Sequence, residues 1–403
     1  MITINSAPAL FNGAYNDNTF DIVSDNNNVI HFNVELYNSF NDSLIGRFKY
    51  FKAPGESGVS FSINQILIDY TATEIKNGNN IFYNLNGGFS YYLKITGIDS
   101  SNVLIEPAIT SEINTVIDGY FDLFNNDLPE NFIVDGVRQG KFLTDFNSNI
   151  SQFVTTTQPI FYYLYSTIEN ENILLNFSTN KGLTGSRVIN LKEGINSIKI
   201  KVEDFVSSDL DTFTFHLSFG QIQITESITL GIIKACKDKN LSIIYQNKKG
   251  GYDSLSIEKA SLKLLKSATK TSIQNNKQNQ LINGVYTSDR RVFKVNERFT
   301  YNVITSYLTK EEEIIHSNII SSKSVFIVLP DNLLLPINIL NDSINVDFKT
   351  NKRRRINLSF DAQTPSFLNE KKNTIVRNAI EQLNYIINNF YSIINPDNPI
   401  TII

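Results

Sequence analysis

Apolar and polar residues alternate with a period of two through most of this chain, the spacing that sets one face of an extended strand on a core and the other in water. In residues 1–112 the runs Ile30-His31-Phe32-Asn33-Val34-Glu35-Leu36, Leu44–Phe51 and Tyr91-Tyr92-Leu93-Lys94-Ile95 carry it, separated by turn-forming clusters at 25–28 and Asn86-Gly87-Gly88. A small antiparallel β-sandwich is the expected product. One helix is predicted over residues 63–70, where Ile63, Ile66, Leu67 and Tyr70 share a face and Ser62 or Asn64 supplies the cap.

Pro107 interrupts the pattern, and residues 113–236 then repeat it at 161–165, 173–177, 197–202, 212–217 and 221–225, with Gly194 and Gly220 at turns. This predicts a second sandwich. The tract 121–133 is ambiguous, since its phenylalanines stand among Asn and Asp and Pro129 breaks it. A third block, 237–362, opens on LSIIYQNKKGGYDSLSI, residues 241–257. It reads as two short strands, 242–245 and 254–257, around a polar connection whose Gly250-Gly251 pair supplies the positive φ angles of a tight reversal. Farther on, Thr309 and Glu312 stand at capping-box spacing and Glu311, Glu312 and Glu313 load a first turn with negative charge, predicting a helix from Lys310 to about Ile320. Strand character returns at 325–329 and 356–360.

Residues 363–403 differ again. Val376, Ala379, Ile380, Leu383, Ile387 and Phe390 follow helical spacing until Pro396 and Pro399, an amphipathic helix that needs a sheet or a neighbouring subunit to cover it. The fold class is therefore mainly β: tandem antiparallel β-sandwich-like domains, a few short helices and a C-terminal amphipathic helix.

Composition narrows the function. The 403 residues are 41% hydrophobic and 19% charged with a net charge of −4, so no global positive field gathers nucleic acid and any such contact must be local. One cysteine, Cys236, forms no intrachain disulfide, and His31, His216 and His316 lie in three different blocks, so no zinc spacing exists. The first ten residues lack the basic start and apolar core of a signal peptide, and no run approaches a membrane span. Synthesis and folding in a reducing cytoplasm are expected.

Candidate chemistry is sparse. Asp209/Asp211 and Glu169/Glu171 have the composition of glycosidase or calcium carboxylates, but solvated strand ends explain them as well. Gly182 and Gly185 lack the order of a phosphate loop and read as a hairpin turn. No catalytic, cofactor-binding or metal residues are assigned. The strongest local feature is the basic run Lys349, Lys352, Arg353, Arg354 and Arg355, which leads into a predicted strand and suits a subunit contact or, secondarily, phosphate.

The segment Tyr245–Ser254, with Gly-Gly-Tyr-Asp between two strands, resembles a pattern in virion proteins of bacteriophages that infect Bacteroidetes, the crAss-like phages among them. Further segments agree in order: Phe32-Asn33-Val34-Glu35-Leu36-Tyr37, Gly46-Arg47-Phe48-Lys49, Pro54-Gly55 and Gly58-Val59-Ser60-Phe61-Ser62-Ile63 resemble the amino-terminal β-domain of such proteins. The stretch from Thr309 to Glu313, Ser321-Ser322-Lys323-Ser324-Val325 and Pro336-Ile337 resemble their closing region. The chain departs from the pattern in its connection, Gln246-Asn247-Lys248-Lys249 in place of an Asn-Arg form, and in its C-terminal helix. The resemblance implies a non-enzymatic structural protein of the neck, collar or tail. It would assemble as a ring of copies around the genome-delivery channel, beside portal, neck and tail proteins, with the basic run facing a neighbour or, nonspecifically, DNA. A receptor-binding tail fibre or adhesin is the alternative, and a tail-borne glycan hydrolase ranks last.

Overall fold

The computed structural model describes residues 1–85, 88–122, 127–146, 150–206, 210–233, 241–257, 261–274, 281–282, 285–286, 290–305, 307–329, 333–344 and 355–362. The protein is mainly β, built of antiparallel sandwiches and sheets with few helices. Contacts divide it into two compact units, Met1–Ile233 with Tyr245–Ser254, and Lys234–Ile244 with Leu255–Ile403. The predicted C-terminal helix lies outside the described residues.

The first unit holds two sandwiches. In the first, Ile2–Ser6, Thr19–Ser24 and Gly58–Ser62 form a three-stranded sheet. It faces a larger sheet ordered Phe11–Gly13, Asn114–Ile117, Gly88–Ile98, His31–Asn38, Leu44–Phe51. The alternation does what period two requires: Phe32, Val34 and Leu36 are buried with Phe20, Ile22 and Leu93 in one core, while Asn33 and Glu35 point outward. Pro107 does not end the pattern. It lies inside the strand Leu104–Thr110, which pairs with Gly88–Ile98 through register shifts on either side of Gly97, where a missing N–H is tolerated.

In the second sandwich, a sheet ordered Ile133–Val134, Ile160–Ser166, Gly194–Ile200, Phe82–Leu85 faces one ordered Gln152–Val154, Ile228–Ile232, Thr212–Phe219, Asn170–Thr179, Thr184–Leu191. Phe82–Leu85 comes from the sequence of the first block yet pairs with Gly194–Ile200. Gly182, Gly194 and Gly220 all have positive φ at turns, so Gly182 does form the hairpin reversal, while Gly185 lies in the following strand opposite Phe177. Of the predicted 221–225 strand, Ile222–Gln223 pairs with Thr212–Phe219, while Thr225 forms a separate parallel bridge with Gly140 and its hydroxyl accepts the Leu217 N–H.

A seven-stranded sheet, most of it in the second unit, is ordered Tyr252–Ile257, Leu241–Gln246, Val325–Val328, Leu334–Ile339, Asn357–Ala362, Arg290–Ile304, Ser261–Gln274. The helix Lys310–Ser317, extended by a 3-10 turn to Ser321, starts at the expected capping box: the Thr309 hydroxyl accepts the Glu312 N–H and the Glu312 carboxylate accepts the Thr309 N–H. The earlier helix, Asn64–Tyr70, has neither expected cap. Asn64 is diverted to the loop before the Thr19–Ser24 strand, where its Oδ1 accepts the Asn18 N–H and its Nδ2 donates to the Asn16 carbonyl.

Candidate functional site

The best-defined polar site among the described residues is the tip of the Gly250-Gly251 hairpin, residues 245–254, seated within the first unit. Its strands are Leu241–Gln246 and Tyr252–Ile257, and Asn247 organises the turn. The Asn247 Oδ1 accepts the N–H groups of Lys249 (2.9 Å) and Gly251 (3.1 Å), and its Nδ2 donates to the Leu143 carbonyl at 2.9 Å. That is a side chain imitating a backbone turn while clamping a second loop. Gln246 donates to Asp118 at 2.8 Å, and the Tyr120 N–H donates to the Lys248 carbonyl at 2.6 Å.

The two glycines serve different needs. Gly250 adopts φ +85°, the left-handed region expected of it, whereas Gly251 does not lie there. Gly251 is required by proximity: a Cβ on it would sit closer than 3.0 Å to the Leu143 carbonyl oxygen, and one on Gly250 would similarly strike that of Asp118. The expectation of positive φ at both positions is corrected accordingly.

Beyond the turn, the Tyr252 hydroxyl donates to the Thr73 carbonyl at 3.2 Å and its ring lies 5.5 Å from that of Tyr163. Gln152 donates to the Ser254 carbonyl (2.8 Å) and accepts from Tyr162 (2.6 Å). On the outward face of Ile160–Ser166, a strand buried on both faces, Tyr252 thus covers Tyr163, while Tyr165 stacks on Phe11 with ring centres 4.5 Å apart. Asp253 is buried, accepting the Thr144 hydroxyl and, at 3.3 Å, the Asp145 N–H. Burial, then the Asp145 charge, pushes its carboxyl up to about 7 against the hydrogen bonds that favour the anion. Lys249 supplies the neighbouring positive charge, with its Nζ 3.1 Å from Asp127, 3.7 Å from Asp145 and 5.1 Å from the centre of the Phe132 ring. Chemically, this arrangement holds: the polar groups of the Gln-Asn…Gly-Gly-Tyr-Asp segment are engaged with residues 73, 118–120, 143–145 and 152.

Other sequence candidates are dispersed. Arg355 is exposed, with its guanidinium 4.1 Å over the Tyr307 ring, and Lys349, Lys352, Arg353 and Arg354 lie outside the described residues. His31 and His216 occupy strands of different sheets, and burial lowers the pKa of each, with Lys49 adding to the effect at His31. His316, in the Lys310–Ser317 helix, is buried and pushed down to about 3 by desolvation. Asp211 is tied to the Asn180 side chain at a strand end. Asp209, Cys236 and the Glu171 side chain lie outside the described residues. Among the described residues, no group of three His, Cys, Asp or Glu is arranged to hold a metal ion, and no helix is long and apolar enough to cross a membrane. The second unit has a groove of about 300 Å³ lined by Ser322, Lys323, Ser324, Phe326, Pro336 and Asn338. It falls on the closing-region segments singled out in the sequence.

Sequence reasoning found the hairpin from its glycine pair and missed its seat. No local signal marks Leu143, Thr144 and Asp118 as its partners, which are more than a hundred residues away.

No protein-family model matches the chain, and no curated protein does. Solved structures with some similarity include CBD12 from CALX1.2, at 11% identity over 54% of this chain and 79% of that one, TM-score 0.17. The FN1–FN3 domains of chicken CNTN1 are 7% identical over 76% of this chain and 91% of that one, TM-score 0.18. At such TM-scores neither similarity carries an argument about topology or function.

Proposed function

We propose that this protein is a non-enzymatic virion component of a crAss-like bacteriophage, assembling as a ring of identical copies in the neck, collar or tail around the genome-delivery channel. The observation that carries this reading is the segregation of charge between the two units. The first contains 26 Asp and Glu against 14 Lys and Arg, a net of −12, and the second 14 against 22, a net of +8. A chain with one acidic and one basic unit is complementary to its own copies head to tail, the heterologous contact that generates a ring when the rotation closes. The hairpin agrees with a structural role, since the segment carrying the virion resemblance is engaged in holding loops of the first unit together.

In this reading the basic run beginning at Lys349 lies against a neighbour or lines the channel, where it adds a salt-dependent, sequence-independent attraction to phosphate. Mass photometry of the purified chain followed by electron microscopy tests the proposal. Closed rings that bind portal or tail proteins support it. A persistent monomer refutes it, and a trimer that binds host-surface glycan establishes the adhesin alternative instead.

A further inference from the structure

The strands Ser261–Gln274 and Arg290–Ile304 pair antiparallel over their whole length, with one register shift between Thr271 and Ser272. The second strand joins the rest of its sheet only at Tyr301–Ile304, opposite residues 357–360. Among the described residues, the pairing from Leu265 opposite Thr300 to Gln274 opposite Arg290 therefore has no third strand on either edge. At a strand rise of about 3.3 Å per residue this is a two-stranded arm roughly 30 Å long.

Such a ribbon is marginally stable by itself in water and needs another surface. Its sequence describes that surface. Val295 and Phe299 alternate with Lys294, Asn296 and Arg298, and the register sets their positions on one face with Glu297, Lys266, Ala268 and Lys270, so that face is apolar and basic together. Residues 261–304 carry eight Lys and Arg against two Asp and Glu, a net of +6, while the remainder of the chain carries 28 against 38, a net of −10.

We propose that this arm is the element by which one copy of the chain grips the acidic first unit of the next copy, an inference that rests on the ring reading. Nucleic acid would satisfy the positive charge but leave the apolar positions against water. A protein surface that is acidic and also exposes apolar side chains satisfies both, and the first unit has a net charge of −12 and widely exposes Phe40, Val137 and Val188. Donor arm and acceptor unit are different parts of the chain, so the contact is heterologous and repeats around a ring.

The test uses the full chain and two variants, sized by analytical ultracentrifugation at low and high salt. In one, Lys266→Glu, Lys270→Glu, Lys294→Glu and Arg298→Glu reverse the arm's charge. In the other, residues 267–298 are replaced by Asn-Gly, a two-residue hairpin turn joining Lys266 to Phe299. The expected result is an oligomer for the natural chain that loosens with salt, and at least a tenfold weaker association for both variants with unchanged circular dichroism. If the shortened chain does not fold, the charge-reversed chain decides alone. Variants that assemble as the natural chain does overturn the arm's role and leave the ring reading standing. A natural chain that stays monomeric removes the ring reading and the arm's role together. Retention of duplex DNA by the natural chain, lost in the charge-reversed variant while assembly is unchanged, makes the arm a nucleic-acid contact and overturns the proposal.

Discussion

Replacing Gly251 by Ala tests whether the hairpin is held by close backbone approach. The new Cβ falls closer than 3.0 Å to the Leu143 carbonyl oxygen, the same oxygen that accepts the Asn247 side chain. Relief requires either the hairpin or the Leu143 loop to move. Forcing a methyl into a packed site costs about 1–3 kcal/mol, and loosening the Asn247 hydrogen bond adds about 0.5–1.5 kcal/mol. The expected loss is therefore roughly 1.5–4.5 kcal/mol, a large fraction of the ~5–15 kcal/mol by which a domain is stable. Gly55→Ala is the control, because Gly55 has φ +88° with nothing within 4 Å of the added atom, leaving only a backbone penalty of about 1–2 kcal/mol. Urea unfolding followed by tyrosine fluorescence reads both, the chain having 18 tyrosines and no tryptophan. A Gly251→Ala loss no greater than that of Gly55→Ala would refute the close-approach reasoning.

Asp253 has its carboxyl pushed up to about 7, so the folded chain retains a proton that the unfolded chain releases near 3.8. Its contribution is fully present below pH 3.8 and declines as pH rises toward 7, with a slope approaching ~1.4 kcal/mol per pH unit. Urea midpoints of Asp253→Asn across pH 4–8 should show that slope reduced; a slope identical to the natural chain's contradicts the assignment. His316 runs oppositely. Held neutral down to about 3 against an ordinary 6.5, it contributes stability above pH 6.5 that is lost as pH falls toward 3, and His316→Gln should flatten acid unfolding of the second unit. Reversing Arg353, Arg354 and Arg355 to Glu should impair assembly and leave the circular dichroism of the monomer unchanged; unimpaired assembly removes these residues from the subunit contact.

Strand positions were legible wherever one face is buried, as at His31–Asn38 and within Gly88–Ile98, because period-two alternation is a local consequence of having a core on one side. The capping box at Thr309 and Glu312 was legible for the same reason, both halves lying within one turn. Asn64 shows the limit of such reading: a good capping residue by type, it is claimed by the loop carbonyl of Asn16. The parallel pairing of Phe11–Gly13 with Asn114–Ile117 and the transfer of Phe82–Leu85 to the second sandwich have no local signature, since alternation specifies which face is buried and not which strand lies alongside.

The sequence by itself determined the β class, the existence of the Gly250-Gly251 reversal and the capped helix, because each follows from spacing, residue type and backbone freedom within a few positions. Only the tertiary structure decided that Gly251 is needed for its approach to Leu143 and that Asp253 is buried beside Asp145. Those outcomes depend on which distant segments meet, and burial, desolvation and close contact come into being only when they do.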